Sequence, residues 1–370
     1  MHQHREDRAG GTHDHGIDRI PLYTIVLPVL GAAASVVLGK VGLEVLALVL
    51  AAVLLGNVAA AVHHAEMVAL RVGEPFGTLV LALSVTIIEV GLIVAIMLGG
   101  EPNPGLMRDS VHAVVMLVLH GVAGLCIVVS AFRQREAEFR VEGTYAFLAV
   151  LIPMATLVMI VPNYVVSAPG PFYSNLQLEF VSAACLVLYA AFLFIQTGWH
   201  RTYFLPVSKG DGAAHGRPSL RLTLASFGLL LLALLSVVLL AKKLTPALEK
   251  GVGAVGAPIA VVGLMIAIIV LLPETVAAVR AAARNQLQSS LNLALGSGVA
   301  SIGLTVPVVA FVSEWAGQPL ALGISAHSSV LMALGFLVAV ITYGTGRTNL
   351  LSGIVHLVLL ATYIFTIFAP

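Results

Sequence analysis

The chain has 370 residues, 59% of them hydrophobic and 10% charged, with a mean hydropathy of +1.02. Soluble domains carry about 25% charged residues, so this composition excludes a soluble globular protein and describes one that resides in a bilayer. A net charge of +1 says nothing about nucleic acid, and none is expected as a partner; the only two cysteines, Cys126 and Cys185, fall inside apolar runs as small packing residues rather than a disulfide framework.

Residues 1–19 are polar and include His2, His4, His13 and His15. They read as a solvated tail in preference to a metal-binding one, and they lack the signal-peptide pattern that would predict removal. Apolar runs long enough to cross about 30 Å of hydrocarbon then succeed one another. Spans are predicted over 20–38, 42–63, 76–99, 110–131, 143–166, 176–197, 220–241, 253–279, 288–312, 320–343 and 348–369. Period-two alternation is absent, which favours helices over a barrel.

The fold class that follows is an all-α membrane protein of about eleven transmembrane helices. Residues 20–41 form one extra N-terminal helix, 42–197 a first five-helix repeat, 198–219 a cytoplasmic linker and 220–370 a second five-helix repeat. An odd number of spans per repeat inverts one repeat against the other. With the N-terminus inside, the cytoplasmic side receives Arg5, Arg8, Arg19, Arg71, Arg133, Arg135, Arg140, Arg201, Lys209, Arg217, Arg221, Arg280, Arg284 and Arg347, which is 14 of the 19 basic residues. That bias sets the orientation, with Lys242 and Lys243 as the dissenting pair.

Two stretches dominate the functional reading: GEPFGTLVLALSVTIIEVG at 73–91 and PIAVVGLMIAIIVLLPETVAAV at 258–279. Each buries one acid, Glu89 or Glu274, in an apolar run of spanning length, at a cost of at least about 2.5 kcal/mol per ionised group. Such residues mark a site, and each glutamate is the natural partner of the other. Thr86 lies one turn from Glu89, with Ser84 nearby; Pro273 frees a backbone carbonyl beside Glu274. Ser297, Ser301 and Thr305 share one face of the following small-residue span, with Asn292 near its entrance, and His112, Met116, His120 and Gly124 repeat that spacing in the first half.

Removal from water favours the neutral form of a carboxylate, so the empty pair holds protons that an arriving cation must displace. Competition for one site then couples two fluxes. Two carboxylates match the charge of Ca²⁺, whose six to eight oxygen ligands carbonyls, hydroxyls and water can complete. With one glutamate protonated, Na⁺ or K⁺ also balances.

The segments VHHAEMVALRVGEPFGTLVLALSVTIIEV at 62–90, LMRDS at 106–110, LNLALGSGVASIGLTVPVV at 291–309 and YGTGRTNLLSGIVHLVLLATYIFTIF at 343–368 carry a resemblance. They are similar to the bacterial ChaA-type calcium/proton antiporters, in the cation/proton exchanger branch of the calcium/cation antiporter superfamily. The resemblance implies ten inverted-repeat helices plus one, an inner-membrane location, and ion binding by the acids of the two repeats, Glu89 and Glu274. It implies exchange of cytoplasmic Ca²⁺ for external H⁺ as transported substrates, with no cofactor. Where the wider family has Gly-Asn-Ala-x-Glu, this chain reads Val85 to Glu89 and Val270 to Glu274, with neither asparagine. An Na⁺/H⁺ or K⁺/H⁺ antiporter on the same scaffold is the alternative.

Glu66 and Glu74, with His63 and His64, crowd the expected cytoplasmic mouth as candidates for entrance or gating. Arg347 reads as an interfacial anchor for the last helix. His63-His64-Ala65-Glu66-Met67 approaches the inverted zinc-protease pattern but has Met67 where the final histidine belongs, so no enzyme is expected. A channel fits less well than an exchanger, because duplicated halves and a proline-broken acidic helix suit alternating access.

Overall fold

The computed structural model describes residues 20–37, 43–73, 76–99, 103–205 and 218–369. The expected tail at 1–19, residues 206–217 of the linker, and Glu74 lie outside the described residues. Eleven long helices are described: α1 (Leu22–Val37), α2 (Leu43–Val72), α3 (Phe76–Gly99), α4 (Leu106–Arg133), α5 (Val141–Met159), α6 (Asn175–Trp199), α7 (Leu220–Ala254), α8 (Ala260–Ala283), α9 (Leu287–Trp315), α10 (Ala326–Tyr343) and α11 (Leu350–Phe368). Among the described residues, nine segments are long and apolar enough to cross a membrane, and α1 and α3 add the shorter apolar stretches Leu22–Ser35 and Leu83–Leu98. The protein is therefore a nearly all-helical, multi-pass membrane protein.

Local chemistry sets many of the helix ends. Ser174 and Gln177 form a reciprocal capping box at the start of α6, while Ser219, Ser325 and Asn349 each accept a backbone N–H at the starts of α7, α10 and α11. At the end of α2, Gly73 takes φ +75° and its N–H returns to the Ala69 carbonyl, a left-handed stop that glycine adopts without steric cost.

Two helices run furthest past their predicted spans. The apolar run expected to end at residue 63 continues to Val72, and the one expected to end at 241 continues to Ala254, with α8 beginning at Ala260 in place of 253. Hydropathy marks where hydrocarbon ends, whereas backbone hydrogen bonding stops only at a breaker such as Gly73 or Gly256. Lys242 and Lys243 sit on this extension of α7, where long side chains can reach out of the apolar layer. Conversely, residues 320–325 precede α10 as irregular chain, because Ser325 supplies its cap.

Contacts between helix ends sort into two sides. On the side where α1 begins, the Arg71 guanidinium donates to Pro218 O at 2.9 Å, the Arg140 side chain to Leu205 O at 3.0 Å, and the Asn292 amide to Phe204 O at 2.6 Å. On the far side, Asn163 donates to Ile324 O at 2.7 Å.

The two halves mirror each other. After α4, Ala137–Glu138 pairs antiparallel with Arg347–Thr348 just before α11; after α9, Ala321 bridges Phe172 just before α6. Each link ties the exit of one repeat's third helix to the start of the other repeat's last helix, on opposite sides. Arg347 also reaches Glu138 at 3.1 Å across the first link, so it fastens the start of α11 to the chain after α4. Both α4 and α9 contain a π turn, Leu117–Val122 and Ser301–Thr305, beginning 28 residues after Glu89 and 27 after Glu274.

α4 and α9 are also the most enclosed spans, 72% buried against 22% for α6 and α11, so the core lies along them. They pack on α3 and α8. Small residues permit a close crossing: a Cβ on Gly263 of α8 would stand 2.8 Å from the backbone of Asp109 and Ser110 in α4. Gly263→Ala is therefore expected to cost about 1–3 kcal/mol through overpacking. Gly228→Ala, which has open space around it, is expected to leave stability unchanged or slightly raised. Thermal unfolding of the detergent-purified variants compares the two.

Candidate functional site

Glu89 lies midway along α3 and Glu274 midway along α8, 3% and 5% exposed. α3 and α8 touch each other, and α9 packs against both. Two hydroxyls one turn apart on α9 divide the pair between them. Ser301 Oγ donates to Glu89 Oε1 at 2.5 Å, and Ser297 Oγ donates to Glu274 Oε2 while also lying 3.0 Å from the Leu293 carbonyl. The carboxylates are within electrostatic reach of each other, and Thr305 lies beside Glu89. Ser301 opens the π turn that ends at Thr305. Pro307 follows directly; it cannot donate to the Gly303 carbonyl, which favours a widened turn at this point.

The groups described beside the acids are hydroxyls and each other's carboxyls. Thr86 is buried one turn from Glu89. Pro273 sits inside α8 and cannot donate to the Ile269 carbonyl, and Thr275 Oγ1 bonds back to Leu271 O at 2.7 Å. Among the described residues no group of three or more His, Cys, Asp and Glu gathers to hold a metal, so any ion here takes its remaining ligands from hydroxyls, carbonyls and water. Ser297 has one proton and two acceptors. When Glu274 is protonated its O–H can donate to Ser297 Oγ, which then donates to Leu293 O; when Glu274 is ionised Ser297 can turn its proton to the carboxylate.

Other residues singled out from the sequence have different places. Ser84 is buried, but its hydroxyl bonds to Val80 O at 2.7 Å on its own helix. Asn292 sits at the α1-start side, its carbonyl accepting from Gln288 at 2.8 Å and its amide donating to Phe204 O, so both ends are engaged in tying α9 to the chain after α6. His120 meets His356 of α11 at 2.8 Å instead of a glutamate. His64 is fully buried and its Nε2 donates to Thr24 O at 3.0 Å, fastening α2 to α1. His63 stacks edge-on against it at 5.5 Å. Glu66 is exposed on the same turn and within electrostatic reach of Arg280, and Glu74 lies outside the described residues. On the far side His112 packs edge-on against Tyr363 at 4.9 Å and lines a cavity of about 280 Å³ with Arg108 and Asp109, which form an ion pair at 2.8 Å.

Sequence reasoning did not single out His356, Thr342 or Tyr343. The available signal was a lone histidine in the apolar run of α11, and spacing alone does not say what such a residue faces.

Comparison with known proteins identifies the family and the fold. The family described as sodium/calcium exchanger protein matches residues 43–198 and 225–369, one match per half. The chain is 45% identical over 356 residues to a protein described as an ionic transporter, y4hA, of Sinorhizobium fredii, covering 94% of this chain and 95% of that one. It is 33% identical over 353 residues to the sodium-potassium/proton antiporter ChaA of Escherichia coli, again covering 94% and 95%. The solved structure of an H⁺/Ca²⁺ exchanger, CAX, superposes with a TM-score of 0.70 at 14% identity, over 93% of this chain and 87% of that one.

The hydrogen bonds define a direct test. Ser301→Ala removes the Ser301 donor from the buried Glu89 carboxyl and is expected to cost about 1–3 kcal/mol. Ser84→Ala removes only a bond to its own helix and is expected to leave stability unchanged or raised. Thermal unfolding of both variants at neutral pH checks the contrast.

Proposed function

The chain belongs to the sodium/calcium exchanger protein family, and on that premise we propose that it exchanges cytoplasmic Ca²⁺ for external H⁺ at Glu89 and Glu274. It is a transporter and not an enzyme. One observation carries the reading: two buried carboxylates on crossing helices of inverted repeats, each met by a hydroxyl from α9. Such a pair is costly in hydrocarbon unless protons or a cation neutralise it. Protonated, the two acids hold no net charge and satisfy each other's surroundings through Ser297 and Ser301. A divalent cation arriving between them displaces both protons, and the serines rotate to present oxygen to the metal. Thr86, the carbonyl freed by Pro273 and water complete the six to eight oxygens that Ca²⁺ takes.

The architecture supports alternating access. The site lies between mirrored halves, so rocking one half against the other exposes it to either side in turn. The basic residues favour the α1-start side as cytoplasmic, in a bacterial inner membrane. There the exposed Glu66, with His63 beside it, attracts cations toward the entrance. An inward proton gradient then drives the cation out of the cytoplasm.

A second reading, Na⁺ or K⁺ for H⁺, is favoured by the name of the 33%-identical relative, a sodium-potassium/proton antiporter. One glutamate then keeps its proton while the other pairs with the monovalent ion. The absence of asparagines from Val85–Glu89 and Val270–Glu274 supports this reading too, because fewer side-chain oxygens suit a smaller ligand demand.

Inside-out vesicles with an acid interior separate these outcomes. Ca²⁺, Na⁺ and K⁺ are added singly and the pH gradient followed. Ca²⁺ is expected to collapse it, and Glu89→Gln and Glu274→Gln are each expected to fall to the background of empty vesicles while remaining inserted and folded. Collapse by Na⁺ or K⁺ alone selects the second reading; undiminished flux in both variants removes the two-carboxylate site.

A further inference from the structure

The cavity on the far side, remote from the start of α1, has no part in the exchange reading. Four helix ends converge on its roughly 280 Å³: the first two turns of α4, the start of α8, the start of α10 and the last turns of α11. Ends of spanning helices lie where hydrocarbon gives way to water. The surroundings are apolar and open to the outside, for Ile259 before α8 and Phe368 at the end of α11 are each about half exposed, and α11 is only 22% buried.

Inside this apolar rim the polar groups are incompletely satisfied. His112 lines the cavity and is 5% exposed, yet its Nε2 has no hydrogen-bond partner among the described residues. Buried polar atoms are rarely left so, and this one calls for a ligand. Arg108 Nε donates to Asp109 Oδ1 at 2.8 Å and its Nη1 reaches the Gly323 carbonyl at 3.4 Å, which uses two of the five N–H groups of the guanidinium and one oxygen of the carboxylate. The second terminal nitrogen of Arg108 and Asp109 Oδ2 have no hydrogen bond among the described residues. α10 adds its N-terminus, where Ser325 accepts the Ser328 N–H and the N–H groups of Ala326 and His327 have no intrahelical partner. Arg108 and His327 both lie within electrostatic reach of His112, so the surroundings of its imidazole favour a negative group.

The lining thus presents one fixed charge of each sign. A bare anion would meet Asp109 and a bare cation would meet Arg108, and among the described residues no three metal-ligating side chains gather here. A ligand carrying both charges suits both. We propose that the cavity binds the headgroup of a zwitterionic phospholipid with a primary ammonium, held in the outer leaflet in the orientation that the basic residues favour. The phosphate takes hydrogen bonds from Arg108, from His112 in the tautomer with its proton on Nε2, and from the N-terminus of α10. The ammonium donates to Asp109, and the acyl chains lie against the exposed apolar flanks of α8 and α11. None of this depends on which ion is exchanged at Glu89 and Glu274.

The test compares headgroups on the full chain purified in detergent, with the first bound lipid quantified by native mass spectrometry. Phosphatidylethanolamine, phosphatidylcholine and phosphatidylglycerol with identical acyl chains are titrated in turn. Phosphatidylcholine keeps the phosphate but its nitrogen has no N–H, and phosphatidylglycerol keeps the phosphate without a cation. Wild type is expected to bind phosphatidylethanolamine about ten-fold more tightly than either, the effect of one charge-assisted hydrogen bond. Asp109→Asn is expected to bring phosphatidylethanolamine within about two-fold of the other two, and Arg108→Gln to weaken all three. Equal affinity of the wild type for the three headgroups would overturn the proposal without recourse to any variant, as would a preference that Asp109→Asn leaves intact. Soluble O-phosphoethanolamine separates the sources of this chemistry: displacement of the lipid by it at equal concentration would assign the cavity to a free solute and overturn the lipid.

Discussion

The constraint on which this structure depends is the cost of a carboxylate inside a bilayer. Glu89 and Glu274 cannot stay charged and alone there, and the helices around them are arranged to meet that demand. α9 brings Ser297 and Ser301 to one oxygen of each acid, and its π turn sits where Ser301 reaches across to the opposite repeat. The close crossing at Gly263 holds α8 against α4, and short backbone pairings at Phe172–Ala321 and Ala137–Thr348 join the two halves on opposite sides. A group that needs neutralising, set between two mirrored halves, is what the proposed exchange rests on.

The site is less symmetric than the scaffold. Both serine donors come from α9, while the equivalent turn of α4 presents His120 to a different partner altogether. The two halves therefore share a backbone plan while their equivalent turns meet different neighbours. The second-half copy serves the two acids. The first-half copy faces α10 and α11, where the buried imidazoles gather.

Much of this was legible in the sequence because hydrocarbon is an unforgiving solvent. The span at 76–99 was bounded by glycines and prolines, and α3 is Phe76–Gly99. Glu89 and Glu274 stood out as charges in apolar runs, and Ser297 and Ser301 as hydroxyls four apart among small residues. What the sequence withheld was direction. The spacing of His112, Met116 and His120 assigns them one face of α4, yet says nothing of which neighbour that face meets. His64 looked like part of an entrance and is a buried tie to Thr24. Helix ends at Val72 and Ala254 were hidden because hydropathy falls where lipid ends, well before the backbone breaks.

The central claim is that protons and cation compete for the same two carboxylates. Titrating Ca²⁺, then Na⁺ or K⁺, into purified protein in weakly buffered solution and recording the pH measures that competition without any transport assay. The account predicts that binding of the transported ion releases protons into solution, and that a protein carrying both Glu89→Gln and Glu274→Gln releases none. Saturable binding of the transported ion with no proton release from the wild type would contradict it.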